Sequence, residues 1–162
     1  MMTYPGHANP LVLHPHEGEY VVIGGNTRCT FKVTGRNTDN HFGLFEFEMD
    51  PGAMGAHPHV HHHLTEIFYV VEGEVELLAG EERVTGTRGT LLLVPPTAVH
   101  GFANTANAPA TLLIMFCPAD TRERYFAGLA ELTKDGRRPT REELVSLMRR
   151  FDQEPVEGIE FP

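Results

Sequence analysis

Between Tyr20 and Phe116, apolar side chains recur at every second position in short runs broken by glycine, proline and asparagine. Residues 28–34 alternate Cys29, Phe31 and Val33 with Arg28, Thr30 and Lys32, and residues 44–49 alternate Phe45, Phe47 and Met49 with Glu46 and Glu48. A period of two is that of a strand with one buried face. Residues 20–23, 66–71, 75–79, 83–85, 91–94, 99–103 and 111–116 continue the series, with Gly73, Gly80, Gly86 and Gly89 between them. Roughly nine strands at about ten-residue spacing predict an all-β, antiparallel sandwich or barrel.

After Pro118 the period lengthens. Asp120 followed by Glu123 predicts a helix start, with Tyr125, Phe126, Leu129 and Leu132 on one face until Gly136. Thr140 with Glu143 three residues on predicts a second helix, striped by Leu144, Leu147, Met148 and Phe151 until Pro155. Such narrow stripes are expected to pack on the outside of the barrel or on a second subunit. The organisation predicted is an N-terminal arm over 1–18, too proline-rich for a helix, a β-barrel over 19–118 and a helical extension over 119–162.

Composition narrows the function. The 162 residues carry a net charge of −9 and include ten histidines, two cysteines and no tryptophan. A chain of this length forms one domain that buries roughly two-thirds of its unfolded surface. Apolar runs at 91–96 and 112–118 fall far short of the roughly 18 residues that span a bilayer, so no membrane partner is expected. The first eighteen residues lack a basic stretch followed by an apolar one, which makes the cytoplasm the expected location. There Cys29 and Cys117 are expected to be reduced, buried thiols. The basic residues Arg137, Arg138, Arg141, Arg149 and Arg150 are interleaved with acids, so no concentrated positive face exists to displace phosphate counterions. Nucleic acid is rejected as a partner.

The chemistry lies in residues 58–73 and 89–104. Side chains two apart in a strand share a face, so His59 and His61 can present both imidazoles to one point while Val60 faces away. A returning antiparallel strand sets Glu66 beside them, on one face with Phe68 and Val70. His100, after Pro95-Pro96, supplies a third imidazole from a distant strand. Three neutral nitrogens and a carboxylate suit one borderline divalent metal per chain, iron, manganese, nickel or copper, with zinc also accommodated, and leave up to two coordination positions open. His57, His62 and His63 have no place in this quartet and are expected in turn or rim positions. His7, His14, His16 and His41 belong to no motif and are expected at the surface.

These two segments resemble the motifs of the cupin superfamily. Gly52, His59, His61, Glu66 and Gly73 match the first, and Gly89, Pro95, His100 and Asn104 the second. In two places the match departs: Gly52 stands one residue further from His59 than usual, and Thr97 occupies a glycine position. The resemblance implies a double-stranded β-helix, a small jelly-roll barrel, with the metal held inside by His59, His61, Glu66 and His100. The long single barrel with a charged helical tail is further similar to bacterial quercetin dioxygenase-like cupins.

Inward residues Phe45, Phe47, Phe68, Phe102 and Met115 are expected to form an apolar substrate pocket above the ion. No nucleophile elbow or phosphate-cradling loop is present, so any chemistry is the metal's. The expectation is an oxygenase acting on a small enol- or phenol-bearing molecule, with Glu66 as ligand and proton acceptor. The same quartet would also serve an isomerase, a polyketide cyclase or a non-catalytic binding module. Exposed apolar positions Ile67, Tyr69 and Val71 suggest a homodimer.

Overall fold

A computed structural model describes residues 9–162; His7 lies outside the described residues. The strands in chain order are β1 (Glu19–Ile23), β2 (Thr27–Val33), β3 (Gly43–Met49), β4 (Met54–Val60), β5 (Thr65–Glu72), β6 (Glu74–Ala79), β7 (Glu82–Thr87), β8 (Leu91–Val94), β9 (His100–Ala103), β10 (Ala110–Cys117) and β11 (Glu154–Pro155). A single helical turn, α1 (Gly35–Thr38), joins β2 to β3, and α2 (Arg122–Leu132) and α3 (Arg141–Arg149) follow β10. Two of these strands exceed the nine expected. β4, whose end His59 and His61 predict, has no run of alternating apolar residues to mark its full extent, and β11 is only two residues long.

Six strands form one sheet in the order β1-β2-β3-β10-β5-β8, and five form a second in the order β11-β4-β9-β6-β7. All pairings are antiparallel. Alternation then decides which side chains meet. β3 buries Phe45, Phe47 and Met49, and β10 buries Leu112, Ile114 and Phe116. Their register sets Phe45 against Ile114 and Phe47 against Leu112 on the inner face. Met115, expected in the pocket, is a correction: even-numbered residues of β10 face inward, so Met115 turns to the outer face with Leu113.

The helices occupy a different place from the one expected. Phe126 of α2 enters the space between the sheets, its ring centroid 5.0 Å from Phe45, 5.1 Å from Phe47 and 6.0 Å from Phe116. α2 therefore closes one end of the barrel instead of lying on its outside, because the inner aromatic rings would otherwise face water there. α3 packs behind it. The two helices approach closely at Gly128, where a Cβ would come within 2.7 Å of Leu147 Cδ1.

Capping also differs between the helices. Thr140 and Glu143 form the expected reciprocal box: the Glu143 N–H donates to Thr140 Oγ1 at 3.2 Å and the Thr140 N–H to Glu143 Oε2 at 2.8 Å. Asp120 does not cap α2. That helix starts after Thr121, with Asp120 and Thr121 both left-handed, and the entry is pinned by Asn40, which accepts from the backbone N–H groups of Ala119 and Asp120. Of the cysteines, both are free; Cys29 is buried, while Cys117, expected buried, is half-exposed on the outer side of β10. Among the described residues, no helix is long and apolar enough to cross a membrane.

Because Phe126 is the plug's main anchor, Phe126→Ala should lower stability by about 3–5 kcal/mol, read as a reduced urea midpoint. A loss below about 1 kcal/mol would show that α2 is not part of the core.

Candidate metal centre

β4 and β9 lie side by side, with His59 paired to His100, while His61 follows β4 and Glu66 opens β5 in the opposite sheet. One ligand atom from each of the four residues lies within 4.8 Å of every other, and all four side chains are buried. The register shifts in β4 make this meeting work. Between the Ala56–Phe102 and His59–His100 pairs, β4 spends three residues where β9 spends two, a bulge that absorbs the extra residue after Gly52.

Each imidazole is oriented by a carbonyl on its far side. His59 Nδ1 donates to His57 O at 2.7 Å, His61 Nδ1 to Asp152 O at 2.5 Å and His100 Nδ1 to Ala98 O at 3.0 Å. A carbonyl only accepts, so Nδ1 carries the proton in all three rings, and a neutral ring presents its lone pair at Nε2. Yet His61 Nε2 and His100 Nε2 approach the same Glu66 Oε2, at 2.9 and 2.7 Å. Lone pairs facing a carboxylate repel. A cation must therefore lie between them, either as protons on the rings or as a metal ion that replaces those protons.

Electrostatics favour the ligating forms of Glu66 and His59. Burial disfavours charge on Glu66, but the charges and hydrogen bonds of His100 and His61 outweigh it and hold the carboxyl far below the usual carboxylate range. For His59, burial first, and then the neighbouring charges of His100 and His61, pull the pKa well below its ordinary value against the pull of Glu66 and His57. It is held neutral, with its lone pair free. The donor set of three borderline nitrogens and one oxygen fits a late first-row divalent ion; the residues that would hold it are His59, His61, Glu66 and His100.

A cavity of ≈ 30 Å³ adjoins this group, lined by His59, Glu66, Phe47, Phe102, Ile114 and Phe126 among others. It has room for about one or two water-sized groups. Of the expected pocket residues, Phe47 and Phe102 line it, Phe45 and Phe68 are buried in the surrounding core, and Met115 points away. His57, His62 and His63 are exposed, as are His14, His16 and His41.

Sequence reasoning missed four contributors, all from the C-terminal segment. Asp152, left-handed at φ 52°, accepts from the backbone N–H groups of His62, His63 and Leu64 at 2.9, 2.8 and 3.0 Å, while its own carbonyl orients His61. Arg122, Tyr125 and Gln153 complete the cavity wall. Nothing in spacing marks these residues, because their contacts cross more than 25 positions of chain. Thr97 adds strain: it stands at φ 70°, a left-handed conformation unfavourable for a branched side chain, and its N–H donates to His61 O at 2.7 Å.

Burial opposes the charge of Asp152, but three backbone N–H groups hold its pKa below the usual range. A depressed folded-state pKa adds stability above the unfolded value near 3.9, and that stability is lost as pH falls through the folded value. Asp152→Asn should therefore cost about 1 kcal/mol at pH 7, partial exposure having been allowed for, and less at about pH 2. Urea unfolding at both values checks this; an equal difference at the two pH values would refute it.

Residues 45–116 match the family model described as a cupin domain. Over 118 residues, 70% of this chain, the sequence is 30% identical to germin-like protein subfamily 2 member 2 of Arabidopsis thaliana, and it spans about half, 51%, of that relative's length. The fold is similar to that of KdgF from Halomonas sp., with a TM-score of 0.62 and 19% identity over 71% of this chain and 99% of the other. It is also similar to the polyketide cyclase RemF of Streptomyces resistomycificus, with a TM-score of 0.59 and 20% identity over 67% and 80%. A predicted oxalate decarboxylase from Thermotoga maritima gives a TM-score of 0.60 and 18% identity over 67% and 99%. With two antiparallel sheets, both histidine-bearing motifs and a buried His-His-Glu-His group inside the barrel, residues 45–116 form a cupin domain in a chain with the cupin fold.

Proposed function

We propose that the chain is a metal-dependent oxygenase of small enol- or phenol-bearing compounds. What carries this reading is that the four-residue group borders, through His59 and Glu66, a mostly apolar cavity whose wall offers no proton acceptor free of that group. Of the titratable side chains lining it, His59 and Glu66 belong to the quartet, Arg122 is a cation, and the Tyr125 phenol is pushed up to about 12 by burial. Moving a proton between carbons, as an isomerase or cyclase must, calls for a positioned base of suitable pKa. An enol or phenol O–H does not, since binding to a cation lowers its own pKa. The ion supplies Lewis acidity and, when redox-active, a path for electrons from substrate to dioxygen.

The protein's part is to prepare the place. His59, His61 and His100 are held by their Nδ1–H bonds. Glu66 is kept ionised, which makes it a good ligand and a weak proton acceptor, so the ligand role is the one its surroundings support. Phe47, Phe102, Ile114 and Phe126 exclude water and provide an apolar space for dioxygen. For an enol, the C=C and O–O bonds break and one oxygen atom enters each product, giving a ketone or aldehyde and a carboxylic acid. The ≈ 30 Å³ cavity takes only a reacting group of one or two atoms' width, so the rest of a substrate would lie in the ≈ 800 Å³ groove that shares Ala56, Tyr125 and Gln153 with its wall.

Protein loaded separately with iron(II), manganese(II), nickel(II) or copper(II) should consume oxygen with catechol or an enolised 1,3-diketone in at least one form. His61→Ala and His100→Ala should each lower metal content at least tenfold and abolish uptake while keeping β-sheet circular dichroism. Conversion of substrate without oxygen would move the assignment to an isomerase or cyclase. Full metal content with neither activity would leave a binding module.

The self-association expected from the sequence is proposed for the outer face of β5, β8 and β10, where register aligns Leu113, Tyr69 and Leu91 in one row and Met115, Ile67 and Leu93 in the next. Leu91 and Leu93 are 60% and 57% exposed. Leu91→Glu with Leu93→Glu should convert a dimer to a monomer in sedimentation; a wild-type monomer would refute the pairing.

A further inference from the structure

Among the described arginines and lysines one is buried, Arg122. Arg28, Lys32, Arg83, Arg137, Arg141 and Arg149 each pair with a carboxylate within 4.0 Å. Arg122, only 2% exposed, pairs with none; Arg36, Arg88, Arg124, Lys134, Arg138 and Arg150 also lack such a pair, but all six are exposed to solvent. Its Nη1 donates to Phe151 O at 2.6 Å, its Nη2 donates to Gln153 Oε1, and its buried Nε has no partner. Ring faces of Tyr125, Phe116 and Phe126 surround the guanidinium, with centroids 4.2, 4.8 and 5.8 Å from Cζ. Aromatic faces attract a cation but do not neutralise it.

Arg122 lines the same ≈ 30 Å³ cavity as His59 and Glu66. The charges of Glu66, Asp152 and Asp120 favour the Arg122 cation, but none of them pairs with it within 4.0 Å; with a divalent ion held by three neutral imidazoles and Glu66, the ion and Arg122 together still leave net positive charge at this wall. Excess positive charge in so dry a space is costly unless an anion joins it. A groove of ≈ 800 Å³ shares Ala56, Tyr125 and Gln153 with the cavity wall and carries Arg138 along its lining, Arg141 there being paired with Glu157, so an anion arriving from outside meets the Arg138 charge.

We propose that Arg122 makes the cavity a carboxylate site, so that the substrate class is a small carboxylic acid carrying the enol or hydroxy-ketone oxygen; this rests on the metal-enzyme reading above. The guanidinium receives the carboxylate and the metal face receives the other oxygen, which fixes the substrate at two points. Arg122 thereby sets specificity and orientation, while the Phe151 carbonyl and Gln153 amide hold it in place without cancelling its charge.

The probe is acetate, with acetamide as its uncharged isostere, titrated by ligand-observed NMR into zinc-loaded protein and into the metal-free chain. Wild type should prefer acetate. Arg122→Met should reduce that preference about tenfold or more, and Arg122→Lys should fall between. Gln153→Glu sets a carboxylate against Arg122 and should reduce acetate preference equally while keeping the guanidinium, so it decides the matter if Arg122→Met does not fold. Unchanged preference in Gln153→Glu, with zinc content retained, overturns the carboxylate site and leaves the metal reading standing. A wild type that takes up neither zinc nor the other ions sinks the metal reading instead, and the metal-free titration then decides on Arg122 alone: acetate preference insensitive to both substitutions overturns it.

Discussion

One carboxylate and three imidazoles held within 4.8 Å of one another in a dry interior are the constraint around which this protein is organised. Removing Glu66 from water is costly, and that cost is offset only if positive charge meets Oε2 from His61 and His100 or from an ion between them. The rest of the barrel serves that requirement. Strand alternation aims the side chains inward, the bulged β4 brings His59 level with His100, and three backbone carbonyls turn each ring so that Nε2 faces the centre. A shift of one residue in β4 or β5 would point a ligand into solvent or into packed core.

The C-terminal segment, peripheral in chain order, is central in space. Through Phe126 it closes the barrel end; through Asp152 it ties down residues 62–64 and orients His61; through Arg122 and Gln153 it gives the cavity a polar wall. Sealing and electrostatics are thus the work of one element. Water exclusion strengthens every charge interaction inside, so a helix that buries aromatic rings also raises the influence of the one guanidinium it buries, that of Arg122. Loosening α2 would weaken the core and the site together.

Strain concentrates beside the ligands. Thr97 adopts a left-handed conformation at a position where the family motif has glycine, and its N–H is committed to the carbonyl of His61. A branched residue persists there only because the surrounding bonds over-determine it. Asp152 is left-handed too, but a short acidic side chain tolerates that conformation and spends its oxygens on three neighbouring N–H groups.

Period-two alternation, glycine punctuation and the spacing of His59, His61, Glu66 and His100 made the barrel and the ligand group legible from sequence, because strand geometry converts spacing of two directly into a shared face. The capping box at Thr140 was legible for the same reason: its partners are three residues apart. The inward parity of β10, the plugging of the barrel by α2 and the roles of Arg122, Asp152 and Gln153 were not. Each depends on register between distant strands or on contacts between residues far apart in the chain, and no local period encodes where a helix comes to rest or which arginine it buries. Local geometry determined the elements and the ligands; only tertiary packing decided how the site is closed and what charge it contains.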